Sequence, residues 1–252
     1  PSKQSSTPVE DHTTAKSILR FSPHTSFDFK PTAIYCQGMD FDWPTDDDPQ
    51  RLDIRNWLHQ HGGDPTQEAL ATAGFVAPHW PKPYGLAADP IHQLIIDEEL
   101  SAAGVRRAAG GIGLGWAGPT ILFGGTSEQQ ERYLWPILTG EEVWCQGFSE
   151  PDAGSDLAAL RTRAIPDGDD FRLEGQKVWT TFGPWSDWIF VLARTNPDDR
   201  YGGITFFLVP LAQEGVEVRP IRQITGESEF GEVFFSGALA KRNHIIGEIG
   251  EG

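Results

Sequence analysis

The sequence predicts an α+β protein, an N-terminal all-α region followed by a β barrel or sandwich. Three observations carry that reading. Between Asp48 and Gly140, apolar residues recur at spacings of three and four between helix caps and helix stops. After Gly140 the chain changes to short apolar and aromatic runs that read as strands. Turn residues separate those runs at the short intervals of a compact β domain. The 252 residues are enough for one large domain or two modest ones, with a sizeable core.

Residues 1–47 are rich in Ser, Thr, Pro and Asp without a clear period. They are expected to form an irregular arm, partly ordered by docking Phe21, Phe27, Phe29 or Trp43. Residues 48–140 are expected to be the helical domain. Asp48 is placed to cap a first helix, with Pro49 at its first position ahead of Leu52, Ile54, Trp57 and Leu58. A second helix fits Pro65 to Ala73, stopped by Gly74. A loop dense in proline and aromatics, Phe75–Gly85, leads to a longer helix that starts after Asp89-Pro90 and runs to about Val105. Gly110 to Gly115 is expected to loosen the chain before an apolar segment, Ala117 to Phe123. Ser127 and Gln130 read as a capping box that opens a helix with Tyr133, Leu134 and Leu138 inward, ended by Gly140.

Residues 141–252 are expected to be the β domain. Strands are expected at Val143 to Ser149, and from Ala158 to Ile165 toward a hairpin turn at Asp167 to Asp170. The next run is Phe171 to Trp179, followed by Trp188 to Arg194, Ile204 to Pro210, Val216 to Ile221 and Val233 to Phe235. The chain opens on proline and closes on a polar, glycine-rich stretch, which reads as a segment of a longer polypeptide.

The net charge of −16 argues against nucleic acid or an anionic membrane surface as the main partner. No apolar run is long enough to span a bilayer, and no signal peptide opens the chain, so no membrane insertion is expected. Cys36 and Cys145 show no metal-ligand spacing, and Cys145 reads as a small buried hydrophobe. A cytoplasmic location is the simplest expectation. The seven histidines show neither metal nor triad spacing, and no metal site is expected.

The stretch that stands out is Trp144 to Asp156, a strand that breaks at Glu150-Pro151 into the small residues Ala153, Gly154 and Ser155. Such a loop, rich in N–H and hydroxyl donors, suits a planar polar ring and its phosphates. Ser149-Glu-Pro-Asp-Ala-Gly-Ser-Asp156 resembles the flavin-binding signature of the acyl-CoA dehydrogenase family at every fixed position. Gly175-Gln-Lys-Val-Trp-Thr-Thr181 resembles its second flavin motif. Ala77 to Gly85 is similar to its proline–tyrosine–glycine loop, with Leu86 where a second glycine often follows. Gly118-Pro-Thr120, Gly125 to Gln129, Ile224 to Gly226 and Phe230 to Phe235 are similar to further family segments, with Gly231 where many members carry Asn. The resemblance runs from about residue 50 to the end.

The resemblance implies FAD as cofactor and an N-terminal helical domain, a middle β domain and a C-terminal four-helix domain beyond this segment. Backbone groups of Phe148 and Ser149, with the Ser149 hydroxyl, would meet the polar edge of the isoalloxazine, and Gln146 would line the same edge. Gly154 and Ser155 would lie near the phosphates, Ser155 also near substrate. Trp179 would wall the ring. Thr180 and Thr181 would belong to the same motif, with Thr181 donating toward N5, where fixed dipoles stabilise growing negative charge. Read as plain structure, Trp179 is a core residue and the two threonines are strand residues. Glu150 and Asp156 read as turn and loop anchors, and Arg161 and Arg163 as a solvated face. The implied reaction is α,β-dehydrogenation of an acyl-CoA thioester to the trans-2-enoyl-CoA, with electrons passed to an electron-transferring flavoprotein. The catalytic glutamate base would lie outside this segment, so no catalytic residue is assigned, and the assembly would be a homo- or hetero-oligomer. Alternatives are an acyl-CoA oxidase or flavin monooxygenase on the same fold, or a non-catalytic partner subunit.

Overall fold

The computed structural model describes residues 43–107 and 110–252. The expected docking of Phe21, Phe27 and Phe29, and Cys36, lie outside the described residues. Pro44–Gly252 forms one compact unit.

Helix α1, Pro49–Gln60, starts where the Asp48 carboxylate accepts the Gln50 N–H at 2.8 Å, and it buries Ile54 and Leu58. Helix α2, Gln67–Thr72, begins two residues after the expected Pro65, because the Thr66 hydroxyl accepts the Ala69 N–H and makes Thr66 the cap. Helix α3, Pro90–Ala102, is capped by Asp89 and stops before Val105. There Gly104 turns left-handed at φ 72° and the Val105 N–H closes onto the Leu100 carbonyl.

The expected loosening at Gly110 to Gly115 is corrected in its second half. Gly113–Ala117 is a π-helical turn that runs directly into α4, Gly118–Gly124. Gly118 has no room for a side chain, since a Cβ there would lie 2.3 Å from the Trp80 ring. Helix α5, Ser127–Thr139, is also corrected by one residue. Thr126, not Ser127, is the cap, and the box pairs it with Gln129 rather than Gln130. The Gln129 amide also donates to the carbonyls of Asn243 and Ile245, tying α5 to the end of the β region. Gly140 ends α5 in the left-handed conformation, as its position predicts.

Eight strands follow: β1 Trp144–Gly147, β2 Arg163–Asp167, β3 Asp170–Thr181, β4 Trp188–Arg194, β5 Ile204–Pro210, β6 Val216–Ile221, β7 Phe230–Ala240 and β8 Ile245–Ile246. They form one sheet in the order β6-β7-β3-β2-β4-β5-β8, with β1 paired in parallel to β4. Strand β7 is longer than the expected Val233 to Phe235, pairing with β3 on one side and β6 on the other. The sheet curls, because side chains from distant strands share one core: Phe171 of β3 and Phe207 of β5 meet edge to face at 5.4 Å.

Strands β4 and β5 are buried on both faces, which is why they read as unbroken apolar runs. Ile189, Val191, Phe207 and Val209 fill the inside of the curled sheet. Trp188, Phe190, Phe206 and Leu208 pack instead with the helices. Trp144 stacks on Trp188 at 5.5 Å, and Tyr133 of α5 meets both rings edge on, its hydroxyl pushed up to about 12 by burial. Cys145 is buried among apolar residues, and desolvation pushes its thiol up to about 12, so it is inert at neutral pH. Among the described residues, no helix is long and apolar enough to cross a membrane.

Candidate functional site

The two sequence motifs meet at the end of β1 and the far end of β3. On β3, Phe171, Leu173 and Lys177 point into the sheet's interior at even spacing. That alternation would carry Trp179 inward as well. It does not, because the register against β7 shifts between Lys177, opposite Val233, and Thr180, opposite Gly231. Three steps on β3 match two on β7, so one extra residue bulges out. Trp179 takes φ 61° and is left 61% exposed, with Phe230 edge on at 6.2 Å. A bulky non-glycine residue at positive φ stores strain of about 1–3 kcal/mol, a feature that clusters at ligand sites. The core reading of Trp179 is therefore corrected by the bulge.

The same shift turns Thr180 inward. Its side chain is fully buried and its hydroxyl has no partner among the described residues, so that side chain does not face a ligand at the surface. Thr181, half-buried, returns to the side on which Trp179 lies.

Beyond β1, the Val178 N–H donates to the Ser149 carbonyl at 2.9 Å, and the Lys177 ammonium donates to the Phe148 carbonyl at 3.1 Å. The Phe148 ring packs edge on against Phe190 and Phe206. Both carbonyls are thus occupied by protein groups. The hydroxyls of Ser149, Ser155 and Thr181 have no partner among the described residues. Gln146 lies half-exposed on β1. Gly154 and Ser155 stand on an exposed loop, and a side chain added at Gly154 would meet nothing within 4 Å. Free hydroxyl donors, open backbone at Gly154 and one exposed indole are the surfaces that a flavin ring and its phosphates need, so the residues present fit that group.

The loop is held at its neck by Glu150. One carboxylate oxygen accepts from Lys177 Nζ at 2.7 Å and from the Thr162 N–H at 2.9 Å. The other accepts from the Arg161 N–H at 2.6 Å. Burial alone would raise this carboxyl, but Lys177 beside it and the hydrogen bonds outweigh burial and hold it below the usual carboxylate range. Burial pulls the Lys177 ammonium below its ordinary value, with Glu150 opposing. Farther along, Arg194 donates to the carbonyls of Ala158 and Leu160, and Asp156 accepts from Arg200. Glu150 and Asp156 thus act as anchors, and among the described residues the Arg161 guanidinium pairs only with exposed Asp152.

Lys177 and Arg194 escaped the sequence reading. The signal for Lys177 was its parity, a charged residue at a core-facing position two after Gly175 and four after Leu173. A cavity of about 480 Å³ beside Thr126, Tyr133 and His244 contains none of the eight motif residues. Nor does one of about 310 Å³ beside Gly111, Trp144 and Phe182. Outside these cavities, Trp179, Gly154 and Ser155 are exposed and Gln146, Phe148, Ser149 and Thr181 half-buried, whereas Thr180 is buried.

Residues 50–141 match the family described as acyl-CoA dehydrogenase, N-terminal domain, and residues 145–238 match acyl-CoA dehydrogenase, middle domain. Acyl-CoA dehydrogenase FadE34 of Mycobacterium tuberculosis is 50% identical over 187 residues, 74% of this chain and 26% of that protein. Two solved structures, each 30% identical, share the fold. The ChsE4-ChsE5 complex from Mycobacterium tuberculosis has a TM-score of 0.65, over 85% of this chain and 59% of that one. The Tcur3481-Tcur3483 steroid ACAD has a TM-score of 0.63, over 81% and 56%. The chain therefore spans less than two thirds of each of these proteins. With both domain matches in order, and the two flavin-type motifs joined across β1 and β3, the chain belongs to the acyl-CoA dehydrogenase family.

Proposed function

We propose that the polypeptide carrying this segment performs FAD-dependent α,β-dehydrogenation of an acyl-CoA thioester. The observation that carries the reading is the bulge at Val178-Trp179, which leaves the Trp179 indole exposed two residues before Thr181, next to the Val178 N–H that bonds the Ser149 carbonyl. When bound, the flavin would supply the hydride-accepting chemistry. The chain's own part is to hold it. Trp179 would cover a ring face with rigid apolar area. Ser149 and Thr181 would donate to its polar edge, with Gln146 beside them, and fixed donors there stabilise negative charge without reorganising. Gly154, Ser155 and the Thr180 backbone would complete the contact, and Ser155 would also approach substrate. No residue of this segment is assigned as the base.

Among acyl-CoA esters, likeness to a protein described as a steroid ACAD favours a bulky, polycyclic acyl group. The same likeness, and that to the ChsE4-ChsE5 complex, favours assembly with a second, related chain. Electrons would leave to an electron-transferring flavoprotein, in the cytoplasm. The test is an anaerobic visible spectrum of the complete polypeptide, purified with any partner chain, before and after a saturated acyl-CoA is added. Bleaching of the flavin band is expected. A bound flavin that stays oxidised with straight-chain, branched and steroid acyl-CoAs would overturn the reaction, and absence of any flavin would overturn the site.

A further inference from the structure

We infer that Lys177 and Glu150 act together as a positioning pair, fixing the distance between the Phe148–Ser149 edge and the Trp179–Thr181 wall. The inference rests on the flavin reading of that surface. Neither side chain reaches the surface itself: Lys177 is fully buried and Glu150 nearly so. Lys177 is the last β3 residue in regular register before the bulge. Its ammonium grips the carbonyl of Phe148 and the carboxylate of Glu150. Glu150 in turn grips the amides of Arg161 and Thr162, closing the loop that carries Gly154 and Ser155. One charge pair thus ties three backbone segments, the end of β1, the loop's exit and the strand that presents Trp179. A hydrophobic pair of equal volume would fill the same space, but it has no atoms to bond those backbone groups.

The experiment uses the full polypeptide, with wild type, Lys177→Met, and the double variant Lys177→Met with Glu150→Gln, which leaves no buried charge unpaired. Thermal melts report folding, reconstitution of stripped protein with FAD gives Kd, and the fine structure of the bound flavin band reports its surroundings. The double variant is expected to recover much of the melting temperature lost in Lys177→Met. It should still bind FAD at least tenfold more weakly than wild type and with a blurred band. A double variant with wild-type Kd and band shape would make the pair merely structural and overturn the inference. On wild type alone, FAD saturation is expected to slow hydrogen exchange at the Arg161, Thr162 and Val178 amides together. Unchanged exchange there overturns the inference even if no variant folds. If wild type binds no flavin at all, the site reading itself has failed, and the inference falls with it.

Discussion

Two groups of buried charges hold this molecule together, and they are built on opposite plans. In the helical region, Arg51 and Arg55 of α1 face Glu98 and Glu99 of α3. Glu99 receives three N–H groups from the two guanidiniums, Arg51 also reaches Glu98, and Arg55 also reaches Asp46. Arg51, Arg55 and Glu99 each have a second opposite partner, and Arg55 and Glu98 are partly in water. In the β region, Lys177 has one carboxylate, Glu150 has one ammonium, and every other partner is a backbone group. The difference separates redundancy from precision. The helical network joins two helices and tolerates loss, whereas the β pair sets the spacing of a ligand surface and has no substitute.

The largest break in this comparison is Lys177→Met. It strands a buried carboxylate, and removing one partner of such a pair costs about 3–5 kcal/mol. For a protein of this size that corresponds to a fall in melting temperature of about 10 °C. Arg51→Leu removes an equally buried cation but leaves Arg55 on Glu99. Its loss is expected to be about half as large, because the remaining guanidinium still satisfies the carboxylate. Thermal melts of the two variants side by side test the ranking. Equal losses would mean that the helical network is no more redundant than the β pair.

A smaller effect appears on acidification. Hydrogen bonds from Arg55 lead in holding Glu99 below the usual carboxylate range, and Glu150 is held low by Lys177 and backbone amides against the cost of burial. Since both folded values lie below the unfolded ones, the unfolded chain takes up protons first as pH falls. The stabilisation is complete above the ordinary carboxylate value of 4.5 and is lost progressively as pH drops through the lowered folded values. Denaturant titrations between pH 6 and about pH 3 should show Glu99→Gln and Glu150→Gln each with a shallower pH dependence than wild type. An unchanged slope in either variant would show that its carboxylate has the same affinity for protons folded and unfolded.

Which parts of this were legible in the sequence follows from how local each cause is. The cap at Asp48 and the stop at Gly140 depend on one or two neighbours, and they fell where expected. The box at α5 slipped by one because Thr126 and Ser127 are both able caps, and tertiary bonds from Gln129 decide between them. Strands β4 and β5 matched residue for residue, since burial on both faces leaves an unbroken apolar run. Strand β7 was cut short because Gly231, Ser236 and Gly237 look like punctuation, yet pairing with β3 and β6 carries it through Gly231, and β3 alone carries it past Ser236 and a register shift at Gly237. At the site, the motif order was visible, but the bulge that decides which of Trp179 and Thr180 faces outward was not. It exists only in the register of β3 against β7.

The smallest prediction tests that register. Thr180 is fully buried, its hydroxyl has no partner among the described residues, and its methyl lies near Gly183. A buried hydroxyl without a hydrogen bond costs about 1–3 kcal/mol of desolvation. Thr180→Val replaces that hydroxyl by a methyl of similar size, so it is expected to raise stability by about 1 kcal/mol. Because the side chain points away from Trp179, FAD affinity and the flavin band should stay as in wild type. Thr181→Val is the matched control on the outward side, expected to leave stability within about 0.5 kcal/mol. It should weaken FAD binding severalfold by removing a free donor. If Thr180→Val weakened FAD binding and Thr181→Val did not, the phase of the strand after the bulge would be reversed, and Thr180 would be the outward donor.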